Sequence, residues 1–427
     1  MLKKILLVAL PGCFAMAANA QIATPNLDQG FHTFSAAATG WRNNGTISLD
    51  GFRLEGDVKV NEENEGDAEG GMAADGPDES GSSPHLLGVY KAETWAAELW
   101  SATSNGINSD AEFDLPGGMI SDQVISSAQT NNLSAIQATA KIAGIPHLEE
   151  DNIYEEEKNM RLSFAYILGE VLSVGVGYRT LGHKKEETVK GPIIIDGHPD
   201  PNVFFPVKAA FTKTTESEST TTGLAATASW KLADIFYLAG GMESVTKTGT
   251  VKSEQNTVVG TAVVDKSSTD KDYVENSWNN TMLGVGLVTG EPDGTQFKLE
   301  WSMINSPKSV ENPSEGDADK EEASLHPKTV TTFITAEAKW NDIVFGYHRE
   351  VETEEKLKEL ADQESETIVT QFGVGWQPLE GLSVSFYSLA QEKTVKKPDM
   401  GQATTSPVVD EIVSDSKGWR FFVGYNF

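Results

Sequence analysis

One unit recurs along this chain and limits what it can become. An alternating apolar–polar segment is followed by a very short turn, a second alternating segment and then a long polar stretch. The copy at 160–182, MRLSFAYILGEVLSVGVGYRTLG, is the plainest. Leu162, Phe164, Tyr166 and Leu168 alternate with Arg161, Ser163, Ala165 and Ile167. Beyond Gly169-Glu170, Leu172, Val174, Val176 and Tyr178 alternate with Ser173, Gly175, Gly177 and Arg179. Such a period of two marks strands, because successive side chains leave a pleated backbone on opposite faces. The unit returns at 222–243, 280–304, 329–350 and 367–391, with a shorter copy at 85–102. An opening strand near 31–42 and a closing strand at 417–427 bring the expected total to about fourteen strands.

The connections alternate short and long, as they do in outer-membrane barrels with short periplasmic turns and long outer loops. One face of each segment is Leu, Val, Phe, Ile and Ala. The other mixes Gly, Ser and Thr with charges such as Arg161, Arg179, Lys231, Lys298, Glu300, Glu337, Lys339 and His348. Soluble sandwiches alternate too, so aromatic placement is the sharper sign. Trp230, Trp340 and Trp376 each stand just before a short turn, where an interfacial girdle falls, and Trp278 and Trp419 are expected at the opposite end. The chain closes on WRFFVGYNF, with Trp419, Phe421, Val423, Tyr425 and Phe427 on one face. The fold class read from this is all-β: a transmembrane antiparallel barrel of about fourteen strands with long extracellular loops, one of them helical. A closed barrel leaves no unpaired backbone edge in hydrocarbon.

Composition adds the compartment. Residues 1–20 carry Lys3 and Lys4, a short apolar run and an Ala18-Asn19-Ala20 step, the pattern of a signal peptide, so the barrel is expected over 21–427. The one cysteine, Cys13, falls in that leader, which excludes a disulfide scaffold or thiolate metal site from the mature chain. The formal charge of −30 argues against nucleic acid as a partner. The expected location is the bacterial outer membrane.

Several segments resemble the FadL/TodX family of outer-membrane hydrophobic-compound transporters, fourteen-stranded barrels. HTFSAAATGWRNNGTISLDG is similar to that family's first strand, SPHLLGVYKAETWAAELWSATSNG to its next hairpin, MRLSFAYILGEVLSVGVGYR to the following one and GWRFFVGYNF to its closing strand. The resemblance implies passive transport of apolar compounds, and recognition of terminal Phe427 by the barrel assembly machinery. It departs in one respect. Only about ten residues, QIATPNLDQG, precede the expected first strand, so the family's N-terminal plug is expected to be missing.

Two outer loops carry apolar residues in an otherwise acidic exterior. In the loop expected at 103–158, Ile120, Val124, Leu133 and Ile136, with Ile125 beside them, recur at helical spacing. In the next loop stand Val203, Phe204 and Phe205, preceded by Ile193, Ile194 and Ile195. Two readings stand: these segments pack together as a lid, or they form a greasy groove that receives an apolar ligand. Luminal Arg161, Arg179, Lys298 and Arg420 either guide a carboxylate head group or pair with Glu98, Glu300, Glu337 and Glu350. The acidic runs at 62–79, 315–322 and 350–366 read as solvated loop tips.

Neither a metal nor a cofactor is implied. Asp196-Gly197-His198-Pro199-Asp200 lacks a second ligand cluster. Of the seven histidines, His348 is the one expected well inside a strand, beside Glu350, and no Gly-x-Ser-x-Gly elbow accompanies it, so an enzyme is not expected. The leading reading is a monomeric channel admitting hydrophobic or amphipathic small molecules, of fatty-acid or hydrocarbon type, with outer-membrane lipid as its surroundings. A cation-favouring diffusion porin and a surface adhesion barrel are the alternatives.

Overall fold

The computed structural model describes residues 36–41, 45–63, 72–75, 78–112, 150–169, 171–196, 206–232, 235–272, 276–290, 295–307, 328–358, 361–396 and 408–427. A short 3-10 helix, η1 (Ala36–Trp41), precedes the strands. The first group of strands is β1 (Thr46–Glu63), β2 (Met72–Asp75), β3 (Asp78–Lys91), β4 (Trp95–Glu112), β5 (Glu150–Leu168) and β6 (Leu172–Asp196). Next come β7 (Pro206–Leu232), β8 (Phe236–Val259), β9 (Ala262–Asp272), β10 (Asn276–Gly290) and β11 (Thr295–Ser306). The last are β12 (Lys328–Trp340), β13 (Ile343–Lys358), β14 (Ala361–Leu379), β15 (Leu382–Lys396) and β16 (Val408–Asn426).

Fourteen of these strands close into an antiparallel barrel, each pairing with its neighbour and β8 with β10. β2 pairs only with the far part of β1, and β9 only with the far part of β8. The ring closes where β16 runs against β1 from Thr46↔Asn426 to Glu63↔Val408. Gly45 N–H donates to the Phe427 carbonyl at 3.2 Å, Phe427 N–H returns to Gly45 O at 3.0 Å, and Thr46 Oγ1 donates to Asn426 Oδ1 at 2.7 Å. The terminal residue is thus part of the seam. At the same end, tight turns join the hairpins. Asn341 takes φ 52° between β12 and β13, a left-handed position asparagine tolerates, and Gly381 takes φ 80° between β14 and β15.

The strand faces divide sharply. Leu162, Phe164, Tyr166 and Leu168 are exposed on the outside of β5, as are Val174, Val176 and Tyr178 on β6 and Phe421 and Tyr425 on β16. Every strand of the ring contributes to this apolar belt near the tight-turn end, far more than a soluble protein leaves exposed. Trp230, Trp340 and Trp376 stand exposed at its lower rim beside the turns, as the sequence predicts. The molecule is a membrane-type β-barrel.

Several sequence expectations change. The opening strand near 31–42 is not one: its described part, 36–41, is η1, and β1 begins at Thr46. AAATGW has no alternating pair of faces, and it lies inside the ring. Trp278 shares its face with buried Asn276 and Asn280, so it points inward and is no lipid girdle residue, whereas Trp419 is exposed outside. His85 and His183 also lie within strands, β3 and β6.

The strands are longer than their alternation. β6 has 25 residues and β7 has 27, against the ~9–11 that cross a bilayer. Segments 103–112 and 150–158 continue β4 and β5, and most of the acidic run 350–366 belongs to β13 and β14. Beyond the hydrocarbon both faces meet water, so nothing forces one to be apolar and the period-two signal fades. Of the loop expected at 103–158, the part 113–149 with its helical segment lies outside the described residues, as do the acidic run 315–322 and the leader 1–20.

Candidate functional site

The lumen is the surface that η1 and the fourteen ring strands share, and its two sides differ. On β5, β6 and β7 the inward positions are small: Ser163, Ala165, Ser173, Gly175, Gly177, Ala225, Thr227 and Ser229. The chain's own η1 fills the space this leaves. Ala37 N–H donates to Thr227 Oγ1 at 2.8 Å, and Ser173 Oγ donates to Ala37 O at 2.8 Å. Ala36, Ala37 and Ala38 are fully buried. The fit needs glycine: a Cβ on Gly175 would come within 2.5 Å of Ala36 C and 2.6 Å of Ala37 N.

The third tether reaches a charge network. Thr39 Oγ1 donates to Glu98 Oε2 at 3.2 Å, and Glu98 Oε1 receives Arg161 Nη2 at 2.5 Å. The Arg161 guanidinium lies over the Trp100 ring, 5.6 Å from its centroid. Arg179 crosses β7 to reach Glu243 on β8 with two bonds, Nε–Oε1 at 2.5 Å and Nη2–Oε2 at 2.9 Å. Gly223 makes this possible, since a Cβ there would sit 2.3 Å from Glu243 Oε1. Asn280 Nδ2 donates to the same carboxylate at 2.9 Å, and Ser306 Oγ donates to Asn280 Oδ1 at 2.7 Å.

The opposite wall is made by β14, β15, β16, β1 and β3. Arg420 Nε lies 2.9 and 2.8 Å from the two Asp50 oxygens, Nη2 also donates to Asp50, and Nη1 reaches Gln371 Oε1 at 3.4 Å. Directly beyond this pair Leu54, Val369 and Leu389 form a buried apolar cluster, with Phe52 packed on it. Tyr387 is 1% exposed. His348 takes a Thr335 hydroxyl contact at Nδ1, 3.0 Å, and its Nε2 stands 3.9 Å from Glu350.

The residues singled out from sequence divide accordingly. Arg161, Arg179, Lys298, Arg420 and His348 all lie on inward-facing positions and each faces a carboxylate, Lys298 meeting Glu300 at 3.7 Å. Two partners, Asp50 and Glu243, come from strands that sequence spacing does not connect. Ile120, Val124, Ile125, Leu133, Ile136, Val203, Phe204 and Phe205 lie outside the described residues. Ile193 and Ile195 instead belong to β6, where Ile193 is buried with Ala209 and Phe211. Sequence reasoning missed η1, Asp50, Glu98's link to Thr39, and Tyr387. The alanine run before Gly40 was the available signal for the first of these.

Above the belt the inward column stays acidic. Glu157 on β5 is flanked outside by the hydrated pair Lys158–Glu156 at 2.8 Å, which sets it beyond the hydrocarbon. Burial, with Glu155 adding to it and His183 opposing, pushes its carboxyl up to about 7. Glu352 on β13 is likewise raised to about 7, by burial and by Glu350 and Glu354 on the same face.

No protein-family model and no curated protein matches the chain. Solved structures do. The toluene transporter TodX of P. putida is 11% identical over 92% of both chains, with a TM-score of 0.50. A TodX deltaS2S3 mutant, a monoaromatic hydrocarbon channel, is 10% identical over 95% of this chain and 100% of its own, at 0.53. At these identities the likeness is one of fold: the fourteen-stranded barrel of FadL/TodX type. Among the described residues, η1 is the segment ahead of β1 that enters the lumen.

Proposed function

We propose that this chain is a passive outer-membrane channel for hydrophobic or amphipathic small molecules, held shut by its own η1. The observation that carries the reading is that segment, buried in the lumen on a wall of small residues with three hydrogen bonds. An open diffusion pore has no use for an apolar alanine turn seated in its bore. The fold shared with hydrocarbon channels supports the reading at the level of architecture. Paired luminal charges favour a lumen of low net field over an ion-selective one. In this reading the tight-turn end faces the periplasm, the long extensions face outward, Phe427 directs assembly, and the barrel works as a monomer in lipid.

Single-channel conductance of the refolded mature protein in planar bilayers tests it. The expected result is a closed or flickering barrel, with faster entry of a long-chain fatty acid or arene into cells that carry it. A large, steady, cation-selective conductance without any apolar uptake would overturn the proposal in favour of a porin.

A further inference from the structure

On the wall opposite η1, buried hydrogen-bonding groups are left without partners. The register sets them in successive rows across β15, β16, β1 and β3. Ser385, Phe422, Asp50 and Ser83 form one row; Tyr387, Arg420 and Phe52 form the next, and Ser48 and His85 lie in the row before. The Ser48 and Ser83 hydroxyls and His85 Nδ1 are buried without a hydrogen-bond partner, and the buried Ser385 and Tyr387 hydroxyls have none beyond each other. Tyr387 and Ser385 are neighbours whose hydroxyls can meet only each other. All five side chains are more than nine-tenths buried, at 1, 1, 5, 6 and 7% exposure for Tyr387, Ser385, Ser48, His85 and Ser83. Native interiors leave very few such groups, so five on one wall need a partner.

The chemistry of that partner follows from what surrounds them. Each nitrogen of Arg420 already meets Asp50 or Gln371, and its charge is balanced by the Asp50 carboxylate. A carboxylate seated here would lie beside Asp50 and be repelled. A pure hydrocarbon would add no partner for any of the five groups. Hydroxyls and an imidazole both donate and accept, which suits an uncharged hydroxyl or carbonyl. The next positions along the same strands are Leu54 and Leu389, with Val369 beside them, an apolar seat one row away.

We propose that this wall is a luminal subsite for uncharged, oxygen-bearing apolar molecules such as alkanols and phenols. The polar group sits against Ser385 and Tyr387 on β15, and the apolar body lies on Leu54 and Leu389. This deepens the channel reading and rests on it only for the route by which such a molecule arrives.

The test uses three probes with one ring system: 1-naphthol, naphthalene and 1-naphthoate, measured by equilibrium dialysis against the full mature barrel in nanodiscs at pH 7.5. The native chain is expected to bind naphthol about tenfold tighter than naphthalene, with naphthoate weakest. Ser385→Ala with Tyr387→Phe should remove the naphthol preference and leave naphthalene binding unchanged. Should that variant fail to assemble, by its heat-modified gel mobility, Tyr387→Phe alone makes the same test. Equal binding of naphthol and naphthalene by the native chain overturns the subsite, since water alone then satisfies the five groups. So does a preference that survives both variants. Uptake by cells separates this from the channel reading. Entry of all three without a binding preference sinks the subsite alone, and a naphthol preference without any uptake sinks the channel alone.

Discussion

The two luminal walls solve the same problem in opposite ways. On β5–β7 the side chains shrink to Gly, Ala, Ser and Thr, and the space is filled by six residues of the chain's own backbone, whose Ala37 N–H, Ala37 carbonyl and Thr39 hydroxyl are answered by Thr227, Ser173 and Glu98, although Ser163 Oγ is left over here too. On β14–β3 the side chains grow to Tyr387, Phe422, Leu389 and Leu54, no segment among the described residues takes the place η1 has opposite, and polar atoms are left over. A wall filled from within can be shut. A wall with hydrogen bonds to spare can select. The proposed gate and the proposed selectivity thus lie on different strands, and they should be separable by mutation.

The largest effect is expected from Gly175→Val. Valine suits a strand, so the ladder should survive, but its Cβ cannot coexist with Ala36 and Ala37. η1 should leave the lumen, at a cost of about 2–4 kcal/mol for three hydrogen bonds and the buried alanines. A closed barrel should become a steadily conducting one in planar bilayers. Leu389→Ala is the matched change on the other wall. It should cost about 2 kcal/mol by opening a cavity in the Leu54–Val369 cluster, yet leave the closed conductance as it was. If both variants conduct alike, the division between the walls is wrong.

This division was only half legible in the sequence. Strands that face lipid on one side and lumen on the other must alternate, so 160–182 and 417–427 read correctly and the strand number followed. Glu98 was nameable as a partner for a luminal cation, because it lies one strand away from Arg161. Glu243 and Asp50 were not, because Arg179 reaches across β7 through the gap left at Gly223, and Arg420 meets the opposite end of the chain. η1 carries no periodic signal at all. Its meaning lies in Gly175 and Gly177, more than 130 positions away, where missing side chains look like ordinary small luminal residues. Strand ends beyond the membrane were underread for the reason that both faces there are wet.

A middling effect should come from Glu98→Gln, which touches the filled wall without adding volume. Glutamine can still accept from Thr39, so η1 should stay. Arg161 would lose the carboxylate it meets at 2.5 Å in a buried site, and a buried cation without its partner costs about 3 kcal/mol. Thermal unfolding in detergent should show the loss, while conductance stays closed. An open channel in this variant would mean that the charge, and not the fit at Gly175, holds the gate.

The smallest effect lies beyond both walls, in the acidic column above them, and its sign can be worked out. Glu157 and Glu352 hold carboxyls at about 7 in the fold, above the ordinary value of 4.5. The folded extensions therefore bind more protons than the unfolded ones between those two values, so their stability falls as pH rises through that window and levels off above about 7. The causes differ in reach. At Glu157, burial and Glu155 act against His183, whose Nε2 lies 3.4 Å from Glu155. At Glu352, burial is reinforced by Glu350 and Glu354 and only weakly opposed by the Thr331 hydroxyl and Lys393, so it should dominate. Limited proteolysis of the outer extensions is expected to be slower at pH 5 than at pH 8. Glu352→Gln should flatten that difference more than Glu157→Gln does. The gate should not follow, because η1 is tied to β4, β6 and β7 by groups inside the membrane belt. A conductance that changed with the proteolysis would instead tie the mouth to the plug, and the lumen would have to be read as one cooperative unit rather than two walls.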